Sequence, residues 1–237
     1  MPELVCLPGL LCETEVFAPL LAALNIPARA IALPRSDSFD AIVDTLAPQI
    51  PDGATLLGMS MGSYLALALA RRYPAKVGAL ILVGTNAAAD SPEAATQRGK
   101  VARWAAREGI EALATIIADT MLSPARRDDA TLRETIRRMA AAQGIGRFTD
   151  HQTALATRPD QSESLAALAC PVLVITGSAD TVTPPAAGRA VAEGVTKGRY
   201  VELDGVGHMA VLEAPEAVAA LIEDFHANPA RLKDTTQ

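Results

Sequence analysis

The sequence predicts an α/β fold: a mostly parallel sheet of about six strands, covered by helices on both faces. Two observations carry this prediction. Apolar runs without polar alternation, such as Val77–Val83 and Val172–Gly177, are typical of strands that are buried on both faces. Segments with helical periodicity separate most of these runs. Half of the 237 residues are hydrophobic, which is enough to cover both faces of such a sheet.

The strands are predicted from short apolar runs that end at turn-forming residues. In chain order the runs are Leu4–Leu7, Ala28–Leu33, Ala54–Leu57, Val77–Val83, Val172–Gly177 and Tyr200–Leu203. Helices of the core are predicted at Glu15–Leu24, Phe39–Ile50, Ser63–Tyr73, Pro185–Glu193 and Ala214–His226. Because strands and helices alternate, a parallel sheet is favoured.

No strand is predicted between residues 86 and 165. Helices are predicted there at Glu93–Arg107, Gly109–Met121 and Ala130–Ala142. This segment carries equal numbers of acidic and basic residues, whereas the rest of the chain is acidic. We therefore divide the chain into a core of residues 1–85 and 166–237 and a helical insertion of residues 86–165, which we expect to cover the sheet as a lid.

Charge and composition exclude several classes of protein. The net charge of −6 argues against general binding to nucleic acid or to an anionic membrane, because phosphate requires a basic surface. No run approaches the ~18 apolar residues that span a membrane. The first residues lack the basic and apolar regions of a signal peptide, and three cysteines suggest no disulfide framework. We therefore expect a cytoplasmic protein.

The segment Gly58-Met59-Ser60-Met61-Gly62 lies between a predicted strand and a predicted helix. A serine between two glycines at such a turn is typical of a nucleophile elbow, in which the chain turns so tightly that the serine oxygen points outward. Side chains two residues before and after the serine would collide, which explains Gly58 and Gly62. The pattern also arises by chance, but its position favours Ser60 as a nucleophile.

A serine nucleophile needs a base and an acid that orients the base. His208 lies in a Gly-rich loop after the last strand, whereas His151 lies in the helical insertion and His226 near the end of the last helix. The carboxyl ends of parallel strands meet at one edge of a sheet, so His208 is the predicted base.

Asp180 is the predicted acid, because it follows the fifth strand and gives the chain order Ser, Asp, His. Asp90, which follows the fourth strand, is the rival candidate. Asp204 is too close to His208 in sequence to reach behind its imidazole. The oxyanion of a tetrahedral intermediate needs fixed donors. For these we predict the backbone N–H groups of Met61 and Leu10.

The chain resembles the α/β-hydrolase fold superfamily over nearly its full length. Four ordered motifs carry the resemblance: Gly58–Gly62, Pro8–Cys12, Gly177–Asp180 with Pro184, and Gly205–His208 with Glu213–Pro215. Weaker features, namely Gly84–Ala89, Arg98 and Pro159-Asp160, resemble small bacterial carboxylesterases and 3-oxoadipate enol-lactonases. The resemblance implies eight strands in the full fold, of which we expect about six here. Pro8 stands where many members carry His.

The resemblance and the triad together predict a serine hydrolase that cleaves a small carboxylic ester or lactone through an acyl-enzyme. The alternatives are C–C bond hydrolysis, perhydrolysis or acyl transfer by the same triad, and a ligand-binding receptor without turnover. No cofactor is expected, and no metal, because the sequence has no His-x-x-x-His pair, phosphate loop or dinucleotide fingerprint. The sequence does not indicate an oligomeric state.

Substrate contacts are predicted from residues beside the catalytic loops and within the insertion. The apolar acyl site is predicted to contain Leu11, Trp104, Phe148, Val182 and Met209. The alternative for the two aromatic residues is that they hold the lid to the sheet. Arg98, Arg103 and Arg107 are candidates for binding a substrate carboxylate. Cys12 is interpreted as a thiol in the pocket wall and not as a nucleophile.

Overall fold

The computed structural model describes residues 3–229, so residues 1, 2 and 230–237 of the predicted core lie outside the described part. The strands are β1 (Leu4–Leu7), β2 (Ala28–Ala30), β3 (Ala54–Met59), β4 (Val77–Val83), β5 (Val172–Gly177) and β6 (Gly198–Leu203). They form one sheet in the order β2-β1-β3-β4-β5-β6, and every neighbouring pair is parallel. The predicted six-stranded parallel sheet is confirmed.

Strand β2 is shorter than the prediction of Ala28–Leu33. It is an edge strand that pairs with β1, and its last paired residue, Ala30, lies opposite Cys6. Strand β1 ends at Leu7, only one residue beyond Cys6. It therefore offers β2 no further residues with which to pair beyond Ile31.

Nine α-helices are assigned within the described residues. They are α1 (Ala18–Ala23), α2 (Phe39–Leu46), α3 (Met61–Arg72), α4 (Pro92–Glu108), α5 (Ile110–Met121), α6 (Ala130–Ala156), α7 (Pro185–Gly194), α8 (Ala210–Glu213) and α9 (Pro215–Ala227). None of these helices is long and apolar enough to cross a membrane.

The sheet separates two hydrophobic cores, because successive residues of a strand point to opposite faces. In β1, Val5 and Leu7 belong to the core that contains residues of α2, α3 and α7. Leu4 and Cys6 belong to the core that contains residues of α1 and α9. Both faces are therefore covered, as the uninterrupted apolar strands predict.

The segment between β4 and β5 is helical. Helices α4 and α5 agree with the predicted bounds to within two residues. Helix α6 begins at Ala130 as predicted but continues to Ala156, with a break at Gly144, whose φ is +71°. The part after the break contacts the chain after β2: His151 Nε2 lies 2.9 Å from the Pro34 carbonyl oxygen.

Candidate active site

Ser60 occupies a strained turn between β3 and α3. Its φ of 51° and ψ of −120° lie outside the regions that side-chain-bearing residues normally adopt. A Cβ atom on Gly58 would lie 2.3 Å from the Gly62 carbonyl oxygen, and one on Gly62 would lie 2.0 Å from that of Leu7. Both glycines are therefore required by close backbone approach, as the elbow pattern predicts.

Backbone hydrogen bonds hold this turn in place. The Ser60 N–H donates to the Val83 carbonyl at the end of β4 (2.9 Å). The Ser60 carbonyl accepts from the Ser63 N–H (2.8 Å) and from the Ser63 hydroxyl (2.6 Å). These contacts stabilise the unusual backbone conformation and leave the Ser60 side chain at the carboxyl edge of the sheet.

Asp180 and His208 form a buried hydrogen-bonded pair. Asp180 Oδ2 lies 2.8 Å from His208 Nδ1, and neither side chain is exposed to solvent. An ionised carboxylate only accepts, so Nδ1 carries a proton, and in the neutral ring the lone pair is then on Nε2. Nε2 is buried and has no hydrogen-bond partner among residues 3–229. This tautomer is the one that a general base needs.

The Asp180 carboxylate accepts three further hydrogen bonds from the loop that follows it. Oδ1 accepts the N–H groups of Val182 (2.8 Å) and Thr183 (2.9 Å), and Oδ2 accepts the Thr183 hydroxyl (2.8 Å). Burial raises the pKa of Asp180, but hydrogen bonds from His208 and Thr183 outweigh it and hold the pKa below its usual value. Thr183 was not identified from the sequence.

Gly84 lies between the turn that holds Ser60 and the imidazole of His208. It follows Val83, which accepts the Ser60 N–H, and its φ is +58°. A Cβ atom at this position would lie 3.0 Å from both Cε1 and Nδ1 of His208. The imidazole therefore packs directly on the backbone at the end of β4, where the Ser60 turn is also fastened.

Asp90, the rival acid, lies in a different cluster. Its carboxylate accepts hydrogen bonds from the guanidinium groups of Arg98 and Arg158. Burial raises the pKa of Asp90, but these hydrogen bonds and charges outweigh it and lower the pKa. The Arg158 guanidinium also lies 4.6 Å from the centre of the Tyr64 ring. Both Asp90 carboxylate oxygens are thus engaged by arginine.

The Asp90 cluster includes Arg98, one of the three arginines predicted as candidates for binding a substrate carboxylate. Arg98 is bound to Asp90 and also donates to Gln152 Oε1 at 2.9 Å. Arg103 and Arg107 are exposed. The Arg98 guanidinium is therefore already bound by two residues of the helical segment, Asp90 and Gln152.

The loop after β1 lies against the Ser60 turn. The Cys12 N–H donates to the Gly9 carbonyl (3.2 Å), which closes a turn in which Leu11 has a φ of +58°. A Cβ atom on Gly9 would lie 3.2 Å from Ser60 Cβ. The turn that contains Leu10 thus lies against Ser60 through Gly9. Burial raises the pKa of the Cys12 thiol to about 12, which keeps it protonated and unreactive.

The predicted pocket residues fall into three environments. Leu11, Phe148 and Trp104 share one apolar cluster, in which Phe148 is fully buried and Trp104 partly buried. Val182 is exposed, with 39% of its surface accessible, whereas Met209 is buried in the core beneath α9. Their roles toward a substrate stay predictions.

The other two histidines do not approach this site: His151 binds the Pro34 carbonyl, and His226 lines an apolar cavity at the amino ends of β3 and β4. Within residues 3–229, no group of three or more His, Cys, Asp or Glu side chains is arranged to hold one metal ion.

The sequence profile of the α/β-hydrolase fold family matches residues 35–215. The pimeloyl-[acyl-carrier protein] methyl ester esterase of Aromatoleum aromaticum is 32% identical, and the alignment covers 94% of this chain and 97% of that protein. A thermophilic esterase from Thermogutta terrifontis has a TM-score of 0.88 at 27% identity, covering 97% of this chain and 91% of its own. The enol-lactonase from Burkholderia xenovorans has a TM-score of 0.83 at 25% identity, covering 95% and 91%. The chain belongs to the α/β-hydrolase fold family.

Proposed function

We propose that this protein hydrolyses a carboxylic ester through an acyl-enzyme on Ser60. The observation that carries the proposal is the buried hydrogen bond between Asp180 and His208, whose ring packs on the backbone that also fastens the Ser60 turn. A neutral imidazole with a protonated Nδ1 and an available Nε2 is suited to accept a hydroxyl proton.

In this mechanism His208 Nε2 takes the proton of the Ser60 hydroxyl while the serine oxygen attacks the ester carbonyl. The imidazolium then donates that proton to the leaving alcohol, and the acyl group remains on Ser60. Water repeats the sequence and releases the carboxylic acid. Asp180 holds the ring and stabilises the imidazolium, a role that its low pKa supports because the carboxylate stays ionised.

The backbone N–H groups of Leu10 and Met61 are the proposed oxyanion donors. Met61 begins α3, and the first N–H groups of a helix have no acceptor within the helix. Leu10 lies in the turn that touches Ser60. A single donor of this kind contributes about 3 kcal/mol to transition-state stabilisation.

The substrate we propose is the methyl ester of an acyl chain, free or attached to a carrier protein. The support is the activity named for the Aromatoleum aromaticum relative, which aligns along almost its whole length. We assign the acyl site to the apolar cluster of Leu11, Trp104 and Phe148, against which Leu10 of the proposed oxyanion loop packs, and we propose that Val182 and Met209 also contact the acyl group.

We further propose that residues 86–165 act as a lid over this site. Helix α6 packs on the chain after β1, since Gln143 Nε2 donates to the Cys12 carbonyl (3.3 Å) and to Glu13 (2.7 Å). The helical segment is thereby joined to the same loop that carries Leu10.

Lactone hydrolysis is the second candidate. It needs the same nucleophile and base, and the structural similarity to an enol-lactonase favours it. In a lactone the leaving alcohol stays attached to the acyl group, so the site must hold a compact cyclic substrate instead of a linear chain.

A substrate panel tests the proposal. Methyl esters of medium-length dicarboxylic acids, free and carrier-linked, are compared with short p-nitrophenyl esters and with lactones, in parallel with Ser60→Ala. We expect the highest kcat/KM for a methyl ester and no turnover by Ser60→Ala. Absence of hydrolysis of every ester and lactone by the wild type, or equal rates for Ser60→Ala, would overturn the proposal.

A further inference from the structure

We propose that Glu213 is a positioning residue for His208, which acts by fastening the loop that carries the histidine to the end of helix α5. The inference rests on the proposed function, because it assigns a role relative to His208 as the base. Here the His208 loop means residues 204–209, between β6 and α8.

Glu213 joins two separate segments through one carboxylate oxygen. Its Oε2 accepts the N–H of Gly207 at 3.3 Å and the N–H of Ser123 at 3.0 Å. Gly207 directly precedes the histidine, whereas Ser123 follows α5. Only 8% of the Glu213 surface is accessible, and both hydrogen bonds to Oε2 come from main-chain N–H groups.

A second hydrogen bond joins the same two segments. The His208 N–H donates to the Met121 carbonyl at the end of α5 (2.8 Å). The segments are in direct contact at Gly207, where a Cβ atom would lie 2.4 Å from Ser123 N and 2.7 Å from Glu213 Oε1. The N–H groups of Gly207 and His208 are therefore both linked to the helical segment, the first through Glu213 and the second directly.

These contacts determine where the imidazole can point. Asp180 holds only the Nδ1 end of the ring, so the ring can pivot about that hydrogen bond unless its own backbone is fixed. Small displacements of a base from its proton donor are costly, because proton transfer requires hydrogen-bond distance. Glu213 fixes the backbone, and it does so against α5, so the position of the helical segment becomes coupled to the position of Nε2.

The role of Glu213 as a hydrogen-bond acceptor can be tested separately from its negative charge. Glu213 Oε1 and the Ser123 hydroxyl are buried and have no hydrogen-bond partner among the described residues. In Glu213→Gln, the amide oxygen can replace Oε2 and the amide nitrogen can replace Oε1. The glutamine variant therefore keeps both main-chain hydrogen bonds, whereas Glu213→Ala removes them.

The experiment compares Glu213→Ala, Glu213→Gln and Glu216→Ala, an exposed glutamate nearby that serves as the matched control. Two quantities are measured: kcat and KM for the best ester of the panel, and the low-field proton resonance of His208 Nδ1–H in the protein without substrate. For Glu213→Ala we expect kcat to fall by ~10- to 100-fold with little change in KM, and the resonance to shift or broaden. Glu213→Gln and Glu216→Ala should resemble the wild type.

Wild-type kcat and an unchanged resonance in Glu213→Ala would overturn the inference. So would a Glu213→Gln variant as impaired as Glu213→Ala, since charge and not hydrogen bonding would then be responsible. Glu213→Met, which fills the space without an acceptor, replaces the alanine variant if that variant does not fold. The resonance needs no turnover, so it tests Glu213 even if the proposed ester hydrolysis is wrong.

Discussion

Asp180 and Asp90, two aspartates with largely buried side chains, follow neighbouring strands of the sheet and differ in what they bind. In both, burial raises the carboxyl pKa, and the hydrogen bonds and charge interactions of the partners outweigh it and lower the pKa. Asp90 faces two arginines, which keep their charge at every relevant pH. Asp180 faces His208, which can gain and lose a proton. Similar electrostatics thus stabilise a permanent ion pair in one place and orient a proton acceptor in the other.

The partners also differ in where they lie. Arg98 belongs to α4, near the start of the helical segment, and Arg158 follows α6, at its end. Asp90 therefore ties both ends of that segment to the loop after β4. The partners of Asp180 lie within its own loop and in the His208 loop. We infer that Asp90 stabilises the fold and that Asp180 supports the reaction.

The largest effect is expected for Asp180→Asn. An amide at this position favours the wrong imidazole tautomer, so kcat should fall by ~10⁴-fold, the size of effect seen when the acid of such a triad is replaced by its amide. Asp90→Asn should keep kcat within about threefold. Ester turnover by the two variants checks this contrast, and equal losses of kcat would contradict it.

The second effect is on stability, where Asp90→Asn is expected to cause a larger loss than Asp180→Asn. Asp90→Asn leaves two guanidinium groups without their carboxylate, and the Arg158 side chain is only 3% exposed. Breaking a buried ion pair by removing one partner costs about 3 kcal/mol. Denaturant unfolding should show a larger loss of stability for Asp90→Asn than for Asp180→Asn. An Asp90→Asn variant as stable as the wild type would show that the cluster does not stabilise the fold.

A smaller effect is expected at Thr183. Thr183→Val removes the hydroxyl that donates to Asp180 Oδ2 but retains the N–H donor. A hydrogen bond to a charged group contributes about 1.5 kcal/mol, so kcat should fall roughly tenfold. Thr183→Ser keeps the hydroxyl and serves as the control. If valine and serine variants have the same kcat, the hydroxyl has no role in orienting the acid.

The smallest expected effect is the pH dependence of the stability that the Asp180 carboxylate contributes. Because the folded pKa of Asp180 lies below its ordinary value of 3.8, the folded state holds the ionised form more strongly than the unfolded state does. The resulting stabilisation is fully present above pH 3.8 and is lost as the pH falls through the folded pKa. The difference in unfolding free energy between wild type and Asp180→Asn should therefore shrink below pH 3.8. A difference that stays constant into that acidic range would contradict the assigned pKa direction.

The features that the sequence predicted correctly are local ones. Apolar runs identified the strands, and the two glycines around Ser60 identified a turn that the structure explains by backbone collisions. The order of Asp180 and His208 along the chain led to a pair that the fold brings within 2.8 Å. In each case the information lies within a few residues, or in the rule that parallel strands end at one edge.

The features that the sequence did not predict depend on distant contacts. Arg158, which lies 68 residues from Asp90 in sequence, binds the Asp90 carboxylate, and no local pattern indicated that contact. Glu213 belongs to the motif that carries the family resemblance, but that motif does not indicate its partners Gly207 and Ser123, which lie on different segments. Helix α6 extends beyond its predicted end at Ala142 to Ala156, across a break at Gly144.

The most direct test of the central claim is covalent labelling with a fluorophosphonate, followed by mass spectrometry of the intact protein and of its peptides. A serine activated by His208 and Asp180 should gain one phosphonyl group, located on Ser60 and absent from Ser60→Ala. Labelling of Asp180→Asn should be much slower, and labelling of Asp90→Asn should be close to the wild-type rate. An unlabelled wild-type protein, or an adduct on a residue other than Ser60, would contradict the account.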